Sequence, residues 1–208
     1  MTPPTWVLLT GEYPPQRGGV SDYTRLIARG LATAGDEVHV WTSACEGPRV
    51  EDPGVRLHRL PDHFGPRSLL ALEGELSRLP GPYQIAVQYT PHAFGYKAMN
   101  VPFCLWLSSR WRRRYWVMFH EVAFPLGRSQ PWKHQLLGLV TRFMATRLTR
   151  GAARIFVSIQ QWGPVLRRSA APYRPANGCR CRATWTAAPT PSGSGKSAGG
   201  CSPLGGRC

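Results

Sequence analysis

The chain has 208 residues, enough for one good-sized core or for a domain and a tail, and too few for two full-sized domains. Its formal net charge of +15 is unevenly placed: residues 1–121 hold 13 Lys/Arg and all 11 Asp/Glu, whereas residues 122–208 hold 13 Lys/Arg and no acid. The longest apolar runs, Trp6–Thr10 and Val101–Leu107, fall far short of the ~20 residues that span a bilayer. The start of the chain has no basic n-region, so a cytoplasmic location is expected.

A basic half suggests nucleic acid or an anionic membrane surface as a partner. The ratio of 23 Arg to 3 Lys, with abundant Ala, Gly and Pro, is also what a GC-rich gene produces. In chain order, Trp6–Thr10 reads as a strand. From Val20 to Ala34 the residues Val20, Tyr23, Ile27, Leu31 and Ala34 recur at helical spacing and predict one buried face. Ser21 and Asp22 fall in the first turn of that helix, and Gly35 ends it. Further strands are expected at Glu37–Ser43, Val55–Leu60, Tyr83–Tyr89, Tyr115–Phe119 and Ala153–Ser158. Helices are expected at Ser68–Leu79, at Ala98–Ser109 despite Pro102, at Pro131–Arg150 and at Ile159–Arg168. Strands alternating with helices predict an α/β fold, a Rossmann-like doubly wound parallel sheet covered on both faces. Such sheets bind ligands beyond the C-terminal ends of their strands.

Three segments with chemistry in them fall at those ends. Thr10-Gly11-Glu12-Tyr13-Pro14-Pro15-Gln16-Arg17-Gly18-Gly19-Val20 follows the first strand and opens a helix. Gly18 and Gly19 let backbone approach an anion, and the helix start offers free N–H groups. The spacing is not the Gly-x-Gly-x-x-Gly dinucleotide fingerprint. Thr90-Pro91-His92-Ala93-Phe94-Gly95 follows the fourth strand, and His120-Glu121 the fifth.

In this order, with Asp36-Glu37-Val38-His39-Val40-Trp41-Thr42 between the first two, the segments resemble the N-terminal half of family 4 glycosyltransferases. Those enzymes have the two-domain GT-B fold. The resemblance covers roughly residues 5 to 170 and implies a retaining transfer of sugar from a nucleotide-sugar to an acceptor hydroxyl. It implies no metal and no cofactor, the nucleotide-sugar being a co-substrate. By resemblance, His120 lies by the reacting groups as the catalytic candidate, and Gly18 and Gly19 approach the donor phosphates. Asp22, Tyr89, His92 and Glu121 fall on the acceptor side, the acceptor being a carbohydrate or a lipid. A lone histidine is commonly a cap or a satisfied core residue; the apolar strand before His120 and the family context favour the functional reading. Two roles stay open for Glu121, holding the His120 tautomer or capping the next segment. For Tyr89 and His92, ordinary packing is the alternative.

The expected domain ends at residue 169. Residues 170–208, rich in Arg, Gly, Pro and Cys, cannot bury enough apolar surface to fold and are expected to be a disordered basic tail. Within it, Ser192-Gly193-Ser194-Gly195-Lys196-Ser197 lacks the first glycine of a phosphate loop, and Cys179 and Cys181 lack zinc-ligand spacing. A reading frame two bases on permits Leu-Pro-Val-Pro-Ser-Asn, which the resemblance implies in a linker to a second domain, so a frameshift in the gene or an error in its sequence near Ala176 is expected. A truncated enzyme of this kind would be inactive alone. The alternative is a basic module for nucleic acid or an anionic membrane. For Arg110-Trp111-Arg112-Arg113-Arg114-Tyr115-Trp116, a peripheral membrane contact and a solvated loop are both open.

Overall fold

Six strands, β1 (Thr5–Thr10), β2 (Glu37–Thr42), β3 (Val55–Arg59), β4 (Tyr83–Tyr89), β5 (Tyr115–Phe119) and β6 (Arg154–Val157), form one all-parallel sheet in the order β3-β2-β1-β4-β5-β6. Five helices connect and follow them: α1 (Gly19–Thr33), α2 (Pro66–Arg78), α3 (Val101–Arg110), α4 (Trp132–Gly151) and α5 (Trp162–Ser169). The computed structural model describes residues 3–112, 114–127 and 130–169. The expected tail and its frameshift lie outside the described residues. The architecture is the expected Rossmann-like one, with the strand order reversing between β1 and β4.

The chemistry of the strands follows from alternation. Val7, Leu9, Ile85, Val87, Tyr89, Tyr115, Val117, Phe119 and Val157 point to one face, where α2, α3 and α4 bring Leu72, Leu76, Phe103, Leu107, Met144 and Leu148. Each such side chain taken fully out of water contributes roughly 1.5–3 kcal/mol. On the opposite face α1 packs over Leu8, Val38 and Val40, with Val55, Leu57 and Ala86 half-buried beside them. Further along that face, Trp6 reaches across the small Ala86 to meet Trp116 edge-on at 5.2 Å, and Trp116 in turn lies 5.9 Å from Phe156.

Helix α1 departs from the predicted face. Its buried residues are Ser21, Thr24 and Ala28, whereas Val20, Tyr23, Ile27 and Leu31 are half-buried and Ala34 is exposed. Small side chains are buried because the helix lies close on β1: the Thr24 hydroxyl comes within 3.5 Å of the Thr10 hydroxyl. The larger residues flank that line of contact and leave Tyr23 pointing toward β5. Ser21 does not cap the helix; its hydroxyl donates back to the Gln16 carbonyl at 2.6 Å.

The segment before α3 was expected to be helical from Ala98. Two short 3-10 turns, Pro91–Phe94 and Tyr96–Ala98, occupy it instead. Helix α3 starts at Val101 because Asn100 caps it, accepting from the Phe103 N–H at 3.0 Å. The Asn100 amide also donates to the carbonyls of His63, Phe64 and Phe94, so one fully buried side chain ties three segments together.

Candidate active site

Register brings the C-terminal ends of the central strands level. Thr10 is paired with both Thr42 and Gln88, Tyr89 with Phe119, and Phe119 with Val157. The loops after β1, β4, β5 and β6 therefore emerge side by side at the switch point, where open α/β sheets bind ligands.

The loop after β1 is held rigidly. Thr10 Oγ1 donates to the Glu12 carbonyl at 2.8 Å, and Tyr13 and Gln16 are linked both by their backbones and by the Gln16 side chain. Tyr13 is fully buried, and its hydroxyl donates to Asp52 at 3.1 Å. Arg25 of α1 clasps the same carboxylate through Nε and Nη2 at 2.8–3.0 Å. Burial alone would raise the Asp52 carboxyl; the bonds from Arg25 and Tyr13 outweigh it and hold that group below the usual carboxylate range. Gly11 must be glycine for a reason of space. A Cβ there would sit 2.4 Å from the Ala93 carbonyl oxygen, so only glycine lets the loops after β1 and β4 close on each other.

Gly18 and Gly19 stand at the start of α1 as expected. The first helical bond is Asp22 N–H to the Gly18 carbonyl at 3.0 Å, and no side chain caps the end, so the N–H groups of Gly19, Val20 and Ser21 precede the helical ladder. A Cβ at Gly19 would meet nothing within 4 Å, whereas one at Gly18 would fall 2.8 Å from Glu12 Oε2. Asp22 is exposed in the first turn.

His120 lies at the end of β5. Its N–H continues the ladder to the Tyr89 carbonyl at 2.9 Å, and its own carbonyl accepts from the Trp162 indole at 3.0 Å and the Ser158 hydroxyl at 3.3 Å. The ring is held by Gln88, whose Oε1 accepts from Nε2–H at 2.9 Å, and Tyr23 of α1 stands edge-on to it at 5.2 Å. With Gln88 Oε1 accepting from Nε2–H, the lone pair is on Nδ1. Burial lowers the imidazole to about 4, so His120 is neutral at physiological pH.

His92 and Glu121 come together apart from that ring. His92 Nδ1 is 3.1 Å from Glu121 and its Nε2 is 3.8 Å from Glu12, which makes an exposed Glu12–His92–Glu121 rim. The role of holding the His120 tautomer thus belongs to Gln88 and not to Glu121. Tyr89 is also placed differently from expectation. It is fully buried beneath the strand end, packed against Phe94 and Phe119 at 5.7 and 5.3 Å, and it faces the core. Alternation explains the exchange: with Tyr89 pointing into the core, its neighbour Gln88 points to the face of His120. Gln88, Tyr23 and Glu12 are the site residues that sequence reasoning missed. Strand parity from the apolar Val87 and Tyr89 could have found Gln88; nothing local marks Tyr23 or Glu12.

Among the described residues no group of three or more His, Cys, Asp or Glu could hold a metal ion. A separate cavity of about 220 Å³, bounded by Trp41, His58 and Glu75, lies on β2, β3 and α2 at the other edge of the sheet and includes none of these side chains.

An all-parallel six-stranded sheet, with a glycine-opened helix start and a neutral histidine at its C-terminal edge, defines a Rossmann-like α/β domain. The particular family is shown by sequence comparison: the model of the glycosyl transferase 4-like domain matches residues 18–178, and the chain belongs to that family. No curated protein matches the chain significantly.

Proposed function

We propose that the domain is the acceptor-side wall of a retaining glycosyltransferase that moves a sugar from a nucleotide-sugar to an acceptor hydroxyl. The observation that carries this reading is the convergence of a half-buried, neutral His120 with the uncapped start of α1 at one crevice, Tyr23 of α1 standing edge-on to the ring. In this reading the free N–H groups of Gly19, Val20 and Ser21 receive the donor diphosphate, where the helix dipole favours negative charge. His120 presents its Nδ1 lone pair toward the reacting hydroxyl, with Gln88 fixing the tautomer and Tyr23 fixing the ring plane. The Glu12–His92–Glu121 rim accepts and donates hydrogen bonds to acceptor hydroxyls, and Asp22, exposed in the first turn of α1, offers a further acceptor. The acceptor is a carbohydrate or a lipid, and the nucleotide-sugar is a co-substrate, with no metal or cofactor in the scheme.

The described residues build one wall of such a cleft. Exclusion of water and a clamp on the diphosphate need an opposing wall, and those effects provide much of the rate in group transfer. The 208-residue chain by itself is therefore expected to transfer sugar below detection. The test is backbone NMR of the chain with added nucleoside diphosphate. Amide shifts confined to residues 18–22 and 119–121 are expected, and the same chain incubated with labelled nucleotide-sugars should give no product. Shifts elsewhere would remove the site, and turnover by the chain alone would remove the one-wall account. The alternative of a nucleic-acid module rests on the cation excess of residues 122–208 alone.

A further inference from the structure

Helix α4 is apolar on two opposite sides. One side, Gly138, Thr141, Met144, Ala145, Leu148 and Thr149, is buried against the sheet and α3. On the other side Trp132, Leu136, Leu139 and Phe143, at spacings of four, three and four, are 69, 47, 59 and 47% exposed. These four project within a narrow arc diametrically opposite the buried face, and they cover roughly 16 Å of helix. Leu126 of the preceding segment, itself exposed, lies over Gly138 on the inner side of the helix. That segment is fastened to the helix, since Arg142 donates to the Phe124 carbonyl at 2.7 Å and Thr141 accepts from the Phe124 N–H at 3.0 Å. An exposed apolar stripe this regular is unusual on a surface that faces only water.

The charge around the stripe selects its partner. No Asp or Glu occurs anywhere after Glu121. Lys133 flanks the stripe and places Nζ 5.9 Å from the Trp132 ring. Arg150, exposed, continues the same side in the last turn. Aromatic and leucine side chains along one line, with cations beside and beyond them, match the interface of an anionic bilayer: apolar groups enter the acyl boundary while cations stay among headgroup phosphates. We propose that this outer face of α4 docks on an anionic membrane surface. The helix starts on the side of the sheet where His120 lies, so docking would hold the crevice close to the headgroups.

In the segment Arg110–Trp116, Arg112 and Arg114 are exposed. Trp111 is buried in the core and Arg110 is paired with Glu73 at 2.6 Å.

The experiment is flotation of the full chain with phosphatidylcholine vesicles, with and without phosphatidylglycerol, for the wild type and the double variant Leu139→Ser/Phe143→Ser. Both substitutions are on exposed positions and leave the net charge unchanged, and a circular dichroism spectrum and melting curve confirm folding. The wild type should float with the anionic vesicles, weakly with the neutral ones, and less as salt is raised. The variant's partitioning should fall about tenfold or more from the lost apolar insertion. Equal flotation of variant and wild type would overturn the proposal, because charge elsewhere would then suffice. So would equal binding to neutral and anionic vesicles, or a wild-type dimer by light scattering that the variant loses, which would assign the stripe to a second copy. No nucleotide-sugar enters the assay, so its failure leaves the transferase reading standing.

Discussion

A histidine at the end of a strand acquires its chemistry from what surrounds the ring. His120 is kept neutral by partial burial, and the hydrogen-bond partner of its ring is a neutral amide, which does not compensate a positive charge. His58 is driven in the same direction, to about 4, by burial first and then by His39, whose ring stacks on it at 5.2 Å. An NMR titration of the imidazole protons should therefore show both rings with midpoints near 4. A midpoint at the ordinary histidine value for His120 would mean that the ring is open to water. At the same scale, Gly11→Ala drives a methyl group into the backbone of Ala93 and should destabilise the domain by about 1–3 kcal/mol, measured by urea denaturation. Gly19→Ala meets open space and should be nearly silent for stability, which separates the glycine required by packing from the one exposed at the helix start.

Elements owe their boundaries to single side chains that reach across them. Helix α3 begins where Asn100 caps it, and the same amide satisfies three carbonyls from two other segments. Asn100→Ala should cost about 2–4 kcal/mol, through the lost cap and the buried carbonyls left unpaired. Asn100→Asp keeps the cap but turns a buried carboxylate oxygen toward those carbonyl oxygens, so a melting or denaturant curve should show a loss at least as large as that of the alanine variant. The loop after β1 has an equivalent fastening in Tyr13, Arg25 and Asp52. Tyr13→Phe removes one bond of that set and should cost about 1–2 kcal/mol, with Arg25 left to hold the carboxylate. The two-sided helix α4 shows why periodicity located it without finding its outer stripe. Apolar residues on opposite faces cancel each other's amphipathic signal, so the segment reads as a helix with no preferred side.

For the whole molecule, acid should be the condition it tolerates least. His58 and His120 bind a proton less readily when folded than their ordinary value of 6.5 allows, so between about 6.5 and 4 the unfolded chain takes up more protons. Their contribution is intact above that window and is lost as pH falls through it. Below the window Asp52 adds to the loss, since its carboxyl is held under the ordinary 3.8 by Arg25 and Tyr13 and must be protonated for the fastening to open. Melting temperature measured from about pH 7 down to about pH 4 should fall steadily, and His58→Gln should flatten part of that slope. A flat profile in the wild type would contradict the burial of both rings.

Alternating apolar runs and helical spacings determined the α/β class, every strand of the sheet and the order of the helices, because backbone periodicity is a local property. Spacing also placed the segments of Gly11–Gly19, Thr90–Gly95 and His120–Glu121 at strand ends, where they converge. What only the tertiary structure decided was which side chain of each segment faces the crevice. Pleating sends Gln88 to His120 and Tyr89 to the core; the close seat of α1 on β1 buries Ser21, Thr24 and Ala28 and frees Tyr23 to stand over the histidine. The requirement for glycine at position 11 and the exposed stripe of α4 likewise come from contacts, or their lack, between residues far apart in the chain, and no local pattern encodes those.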